Sequence, residues 1–272
     1  MNKTADKKRP PLSTLYRLSP AGHIIAAVSA ALILLHLLTR DDHALMVWAS
    51  ERLVRPVHRA LAVLNDHLPL SVAELLIGLA VIAVLIYIIY TTIKLIRCGG
   101  RLKRLYAAVI NLLAAGLAVY AGFCMLWGVY YYGDDFMTRS GLKNDNISVE
   151  QLETVTEYFA ALVNEYSSQV PRDADGNYVA DRDAILRRSN EVYANIEETL
   201  PCLSGPAVRA KGVHFSRVMS YTDFTGFFFP FTAEANVNTD FPGALFASTI
   251  AHELSHQRGV AREQEANVTA VL

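Results

Sequence analysis

The residues with the clearest chemical potential lie near the end of the chain, in the segment AHELSHQRGVAREQEAN (251–267). His252 and His256 are four residues apart, so on a helix both side chains lie on one face and can reach a common metal ion. Glu253 follows the first histidine and points to the side of that metal, where it can take a proton from an activated water and pass it to a leaving amine. This HExxH spacing predicts a zinc hydrolase site with Glu253 as the catalytic base and acid.

Such a site needs a third protein ligand and one open position for water. The pattern HExxHxxGxxH is followed up to Gly259, but Arg262 replaces its last histidine and cannot bind a cation. Glu263 opens the segment EQEAN, which resembles the ExxAN element by which gluzincin-type peptidases supply a glutamate from the next helix. That resemblance makes Glu263 the expected third ligand of Zn²⁺, with Glu265 as second choice. Asn267, one turn after Glu263, is expected to accept the ring N–H of a ligand histidine.

A structural interpretation of the motif is the alternative, with both histidines on a helix surface and both glutamates solvated. A bare HExxH arises by chance at roughly the one per cent level in a chain of this length. The apolar stretch FASTIA before His252 predicts a helix that carries these polar groups into a domain interior. Buried imidazoles and carboxylates need a partner, and a metal ion satisfies all of them together.

Residues ahead of the motif are weaker candidates. The stretch FPFTAEANVN (229–238) is predicted to be an edge strand on which an extended substrate lies. Glu234 and Asn236 face one side of it, and exposed polar positions are favoured over a catalytic role. His214 and Tyr221 are possible oxyanion donors, although a structural role is favoured for each.

Composition indicates a membrane portion, because 52% of the 272 residues are hydrophobic, more than a soluble globule needs. The formal net charge is only -1 and no folded region is strongly basic, so a nucleic-acid partner is not expected. The cysteines Cys98, Cys124 and Cys202 are far apart, which argues against a disulfide framework or a cysteine metal site. Any metal must therefore be held by histidine and carboxylate.

Three apolar stretches, 22–38, 70–96 and 106–132, are long enough to cross a lipid bilayer as helices, so residues 1–132 are predicted to form a membrane region. Basic residues flank the first stretch and the loop between the other two, and such clusters mark the cytoplasmic side. They are Lys3, Lys7, Lys8, Arg9, Arg17, Lys94, Arg97, Arg101, Lys103 and Arg104. The N-terminus is therefore expected in the cytoplasm, and residues 133–272 on the extracytoplasmic side. Residues 40–69 also lie outside, as a helix at the lipid interface that is broken at Pro56.

Residues 133–272 have the pattern of an α+β domain. Apolar residues at helical spacing predict a helix over 149–166, with Ser148 and Gln151 as a capping box, and another over 181–200. Aromatic and β-branched residues over 213–238 predict two or three short strands. Two final helices are expected over 244–258 and from 261 onward, separated by Gly259. The sequence stops at Leu272 within what reads as an unfinished helix.

Nearly the whole chain resembles a family of bacterial membrane proteins catalogued as domain of unknown function 3810. That family joins N-terminal membrane helices to a domain with a HELSHQRG…EANV signature, and FPFTAEANVN belongs to the resemblance. The resemblance implies an α-helical membrane region of three transmembrane helices followed by an α+β, zincin-like metallopeptidase domain.

These features predict a zinc metalloendopeptidase anchored in the bacterial cell membrane, with an extracytoplasmic catalytic domain and a peptide or protein substrate. An intramembrane protease is disfavoured, because the apolar run before His252 is short and charged residues follow it. A catalytically idle zinc-binding receptor or structural module is the alternative. A closed four-ligand site is expected there, and the intact Glu253 argues against it. The oligomeric state and the substrate sequence stay open.

Overall fold

A computed structural model describes residues 15–142 and 147–272 of the chain. Its first part is helical: α1 (Pro20–Thr39), α2 (His43–Ala49), α3 (Arg55–Asp66), α4 (Val72–Arg97) and α5 (Arg101–Leu126). Helices α1, α4 and α5 are long and apolar enough to cross a membrane and match the three predicted stretches. Lys3, Lys7, Lys8 and Arg9, which contribute to the predicted orientation, lie outside the described residues.

The third apolar helix ends earlier than the sequence predicts. The prediction ran to residue 132, but α5 ends at Leu126 and Gly128–Tyr131 form a 3-10 turn. Trp127 and Tyr130 are buried at 6% exposure each, in a cluster with residues of the C-terminal part. The aromatic side chains counted as membrane span therefore pack within the protein.

Helices α2 and α3 are joined by a π-helical segment, Ser50–Val54. The chain stays helical through Pro56, so the predicted break there is wrong. Pro56 lies in the first turn of α3, where a missing backbone N–H costs little. The inner face of α3 is buried, and Asn65 Nδ2 donates to the carbonyl oxygen of Thr232 at 2.8 Å. Helix α3 thus packs on the C-terminal part of the chain.

The C-terminal part is mostly helical: α6 (Phe136–Ser140), α7 (Val149–Ser167), α8 (Arg182–Arg188), α9 (Ser216–Tyr221), α10 (Phe246–Gln257) and α11 (Glu263–Thr269). Helix α7 has the predicted capping box, formed by Ser148 and Gln151, but none of its residues is buried. The left-handed backbone of Gly259, with φ +82°, follows α10 as predicted.

The predicted helix over 181–200 is wrong beyond its first part. Helix α8 ends at Arg188, and turns follow up to residue 200. Ser189 Oγ donates to the Leu186 carbonyl at 2.8 Å and accepts the amide of Ala210 at 2.9 Å. The hydroxyl of buried Tyr193 donates to the Ala251 carbonyl at 2.6 Å. The bonds to Ala210 and Ala251, in distant segments, outweigh the local preference for a continuous helix.

A three-stranded sheet completes the fold, as predicted in number. Its strands are β1 (Lys211–Val213), β2 (Gly226–Phe229) and β3 (Glu234–Asn238), in the order β1-β3-β2. Strand β3 is parallel to β1 and antiparallel to β2, so it is central, and the predicted edge position of 229–238 is wrong for β3. Residues 214–224, between β1 and β2, form a turn and helix α9 instead of a strand.

Glu234 and Asn236 of β3 are fully enclosed, which corrects their expected exposure. The Glu234 carboxylate accepts the backbone amides of Val72 at 3.1 Å and Ala73 at 2.8 Å, in the first turn of α4. Ser71 Oγ, at the N-cap of α4, donates to Asn236 Oδ1 at 2.6 Å. A carboxylate at a helix N-terminus satisfies free amides and is favoured by the helix dipole. The central strand therefore fixes the start of a membrane-length helix.

We predict that Glu234→Ala lowers the free energy of unfolding by about 2–3 kcal/mol, because two buried amides and the helix dipole lose their partner. Denaturant titration of the detergent-solubilised protein, followed by circular dichroism, measures the change. Glu153→Ala on the exposed surface of α7 is the matched control and should have little effect. Equal effects of the two variants would show that Glu234 does not stabilise this junction.

Candidate metal centre

Helix α10 carries both histidines of the motif on one side. Its apolar side chains Phe246, Ile250 and Leu254 are fully buried in the main core, which fixes the rotation of the helix. The rings of His252 and His256 then lie one turn apart, edge to face, with centroids 4.8 Å apart and a 3.1 Å distance between their Nε2 atoms. The apolar pattern of α10 thus turns both imidazoles the same way.

Gly259 reverses the chain and brings Glu263 back to the histidines. A Cβ atom at Gly259 would lie 2.9 Å from Cε1 of Tyr130, so the turn requires glycine for space as well as for its positive φ. At the start of α11, Glu263 Oε2 lies 3.1 Å from His252 Nε2 and Glu263 Oε1 lies 3.6 Å from His256 Nε2. One ligand atom from each of the three residues lies within 4.8 Å of the others.

The other ring nitrogen of each histidine faces an oxygen acceptor. His252 Nδ1 lies 2.9 Å from Asn267 Oδ1, and His256 Nδ1 lies 2.6 Å from the carbonyl oxygen of Val260. A ring whose Nδ1–H donates in this way has its Nε2 lone pair free for a metal. Ligand atoms around tetrahedral zinc, with bonds of about 2 Å, lie roughly 3.3 Å apart, close to the separations of this set. The residues therefore fit a zinc ion, and Asn267 occupies its predicted place.

The charges of the set also favour a cation. The hydrogen bond from His256 holds the pKa of Glu263 below its ordinary value. Burial lowers the pKa of His256, but the hydrogen bond to Glu263 and the charge of Glu253 outweigh it and raise that pKa. An anionic carboxylate and a ring that attracts a proton mark a place where positive charge is stabilised.

Glu253 lies beside this set in a largely apolar environment. Its side chain is 4% exposed, and burial raises its pKa to about 8. Among the described residues Oε2 of Glu253 has no hydrogen-bond partner. A Cβ atom at Gly226 of β2 would lie 2.7 Å from Glu253 Oε1, so the strand can pass this close only at a glycine. A carboxylate with high proton affinity and one free oxygen suits proton transfer.

A cleft of about 730 Å³ opens over these groups. Its polar lining consists of His252, Glu253, His256, Glu263 and Asn267, and its aromatic lining of Trp127, Phe224, Phe227, Phe228 and Phe241. Strand β2 lines the cleft with Gly226, Phe227 and Phe228 and is an edge strand of the sheet. The cleft is of a size that takes a small ligand or several residues of a peptide.

Helix α6 fixes the position of α11, a role that sequence analysis missed. The carboxylate of Glu265 accepts the amides of Phe136 at 3.1 Å and Met137 at 3.4 Å. Glu265, the second choice for the third metal ligand, is therefore bonded to α6 and not to the histidines. Arg139 Nη1 donates to the Gly259 carbonyl at 2.7 Å, and its Nη2 donates to the Arg258 carbonyl at 3.1 Å. No local motif marks Arg139, because its carbonyl partners lie 63 to 120 residues away.

An aromatic cluster supports the site from behind. Trp127 packs edge-on against His256, with ring centroids 5.8 Å apart. Behind Trp127, His58 of α3 lies against Tyr130 and Phe228. His58 is 1% exposed, and burial lowers its pKa from 6.5 to about 4. This histidine is neutral at physiological pH and belongs to the core.

The structure leaves the remaining candidates outside the cleft. His214 and Tyr221 are exposed and do not line it. Glu234 and Asn236 bind the start of α4, as described above. Of the sequence-predicted residues, the cleft therefore brings together His252, Glu253, His256, Glu263 and Asn267.

Comparison with known proteins gives one match. A family model described as "Protein of unknown function (DUF3810)" matches residues 50–272. The matched range begins in the π-helical segment and includes every residue of the candidate metal centre. No curated protein and no solved structure matches the chain.

We predict that Asn267→Ala weakens zinc binding about 10- to 100-fold, because the His252 ring loses the acceptor that sets its orientation and tautomer. Titration of the metal-depleted protein with zinc against a competing chelator measures the affinity. Gln264→Ala, an exposed position on the same helix, is the matched control. Unchanged affinity in Asn267→Ala would contradict a role for this amide at the metal centre.

We predict that His58 makes the fold sensitive to acid. Its folded pKa of about 4 is below the ordinary 6.5, so the unfolded chain takes up the proton first. Stability is complete above pH 6.5 and falls towards pH 4, by roughly 3 kcal/mol from this group. His58→Phe should lose less stability than wild type over this pH range, whereas exposed His67→Phe should behave like wild type. If the free energy of unfolding changes with pH in the same way for all three proteins, the prediction is refuted.

Proposed function

The chain belongs to the family described as Protein of unknown function (DUF3810), and from that starting point we propose that it is a membrane-anchored zinc metallopeptidase of the gluzincin kind. His252, His256 and Glu263 hold the metal, and Glu253 transfers the proton. The observation that carries the proposal is the convergence of two imidazoles and a carboxylate at the wall of a cleft, beside a buried glutamate with a free oxygen.

Peptide hydrolysis at this site needs two contributions. A bound zinc ion would supply Lewis acidity, which polarises the scissile carbonyl and lowers the pKa of water. Glu253 accepts the proton of the attacking water and then donates it to the leaving amine nitrogen. The free Oε2 of Glu253 is available for both transfers.

Strand β2 offers a place for an extended substrate. One edge of β2 pairs with β3, the other edge has no strand partner among the described residues, and Gly226, Phe227 and Phe228 line the cleft. A peptide can add to such an edge through main-chain hydrogen bonds, which bind it with little dependence on sequence. Phe227 and Phe228 in the same wall then select apolar side chains. The substrate strand assigned to 229–238 from the sequence is thus replaced by its neighbour, Gly226–Phe229.

The proposed location is the extracytoplasmic face of a bacterial cell membrane. The adjoining ends of α4 and α5, on either side of the connection 98–100, carry the basic residues Lys94, Arg97, Arg101, Lys103 and Arg104. Basic loops stay on the cytoplasmic side. Three crossings by α1, α4 and α5 then leave the metal centre on the opposite side.

Two observations favour this proposal over the alternatives. Helix α10 has 12 residues and is not one of the helices long enough to cross a membrane, which disfavours an intramembrane protease. A zinc ion that only braces a receptor or structural module would have four protein ligands, whereas three candidate ligands meet here beside an open cleft.

We predict that Glu253→Gln keeps the zinc content of wild type but cleaves casein about 10²- to 10⁴-fold more slowly, because the amide cannot accept the proton. Metal analysis and fluorescent casein hydrolysis of the detergent-solubilised protein provide the two measurements. Glu198→Gln, an exposed site, is the control and should retain full activity. Zinc-loaded wild type that is as inert as Glu253→Gln on every peptide tried would favour the receptor or structural module.

A further inference from the structure

An exposed apolar surface lies next to the cleft mouth and has no partner among the residues that the structure describes. It is formed by the turn after β1, by α9 and by the turn before β2. Its members, which we call the apolar patch, are Phe215, Val218, Tyr221 and Phe224, with exposures of 68%, 61%, 85% and 59%. Phe224 also lines the cleft, so the patch and the candidate metal centre share a rim.

The patch is tied to the first turn of a membrane-length helix. The carboxylate of Glu74, in α4, accepts the backbone amides of His214 at 2.9 Å and Phe215 at 2.7 Å. Glu74 is the third residue of α4, so Phe215 lies at the level where that helix begins. If α4 crosses a bilayer, this level is the lipid headgroup region.

A second contact brings the sheet to the same level. A Cβ atom at Gly122 would lie 2.6 Å from Cε1 of Phe231, so the β2–β3 turn packs directly against α5. Gly122 lies four residues, or about 6 Å along the helix axis, before the last residue of α5. The sheet therefore rests on the ends of two membrane-length helices, and β2 runs along the cleft close to them.

The composition of the patch suits lipid. Aromatic side chains are enriched at membrane–water interfaces, where a ring and a polar tip are both accommodated. The charged residues between Phe215 and Phe224 are Arg217 and Asp223, so the segment has no net charge. Helix α7 exposes apolar residues too, but it carries Glu150, Glu153, Glu157 and Glu165 and no basic residue, which opposes contact with an anionic membrane surface.

We propose that the apolar patch inserts into the outer headgroup region of the bilayer and holds the cleft mouth at the lipid surface, so that the substrate is a membrane-anchored protein cut close to where its chain leaves the bilayer. The lipid contact follows from the exposure of the patch, from the hydrogen bonds of Glu74 in α4 to the backbone of the patch segment, and from the packing of the β2–β3 turn on α5. The substrate class rests in addition on the proposed metallopeptidase function.

The lipid contact is tested by tryptophan fluorescence in nanodiscs of phosphatidylethanolamine and phosphatidylglycerol with brominated acyl chains. Tyr221→Trp and Phe215→Trp should add emission over wild type that bromines near the headgroup quench more than bromines at the chain ends. Val155→Trp, on the exposed surface of α7, is the control and should show no added quenching. Unquenched emission from both patch variants, or equal quenching of the control, would overturn the proposal.

The substrate class is tested with one cleavable sequence in two forms, soluble and fused to a transmembrane anchor in the same nanodisc. Wild type should cleave the anchored form about 10-fold faster or more, because both chains share one surface. The triple variant Phe215→Ser, Val218→Ser, Tyr221→Ser should lose this advantage and keep casein cleavage. Equal rates for the two forms in wild type would refute the substrate class. If neither form nor casein is cleaved, the metallopeptidase function fails, while the quenching result still decides the lipid contact.

Discussion

The candidate metal centre depends on one constraint, the chain reversal at Gly259. Only there can α10 end and α11 begin so that Glu263 faces His252 and His256. The reversal uses a left-handed backbone, and its carbonyl is held by Arg139. A shift of one helical residue would rotate Glu263 by about 100° around α11 and separate it from the imidazoles. The geometry of three ligands is thus set by a single turn.

Three carboxylates, each accepting two backbone amides, join the segments around the candidate metal centre to one another and to the membrane-length helices. Glu234 of β3 binds the first turn of α4, and Glu74 of α4 binds the chain just before α9. Glu265 does the same between α11 and α6. In each case a charged acceptor satisfies two amides at the start of a helix, where the helix dipole strengthens the contact. The cleft is therefore fixed relative to the membrane helices, and the proposed lipid contact of the patch extends this arrangement.

Stability and chemistry make opposite demands on the polar groups around the cleft. His58 is kept neutral by burial, and the aromatic rings around it support Trp127 and through it His256. Glu253 is buried, and its Oε2 has no hydrogen-bond partner among the described residues, which costs stability. The absence of a side chain at Gly226 leaves room for this carboxylate.

The sequence alone determined the features that depend on local spacing: the three membrane-length helices, the capped helix α7, and the placing of both histidines and Glu253 on one helix. It also indicated Glu263 and Asn267, because α10 and α11 adjoin along the chain. Contacts between distant segments decided the rest. The helix over 181–200 was cut short by Ser189 and Tyr193, and β3 became central because β1 and β2 pair on both its sides. The role of Arg139 arises from carbonyls about 120 positions away, and Gly226 is needed because Glu253 and the Asn236 carbonyl oxygen lie against it. The spacing of apolar residues in the sequence shows which face of a helix or strand is apolar. Which residues that face contacts is decided only by the tertiary packing.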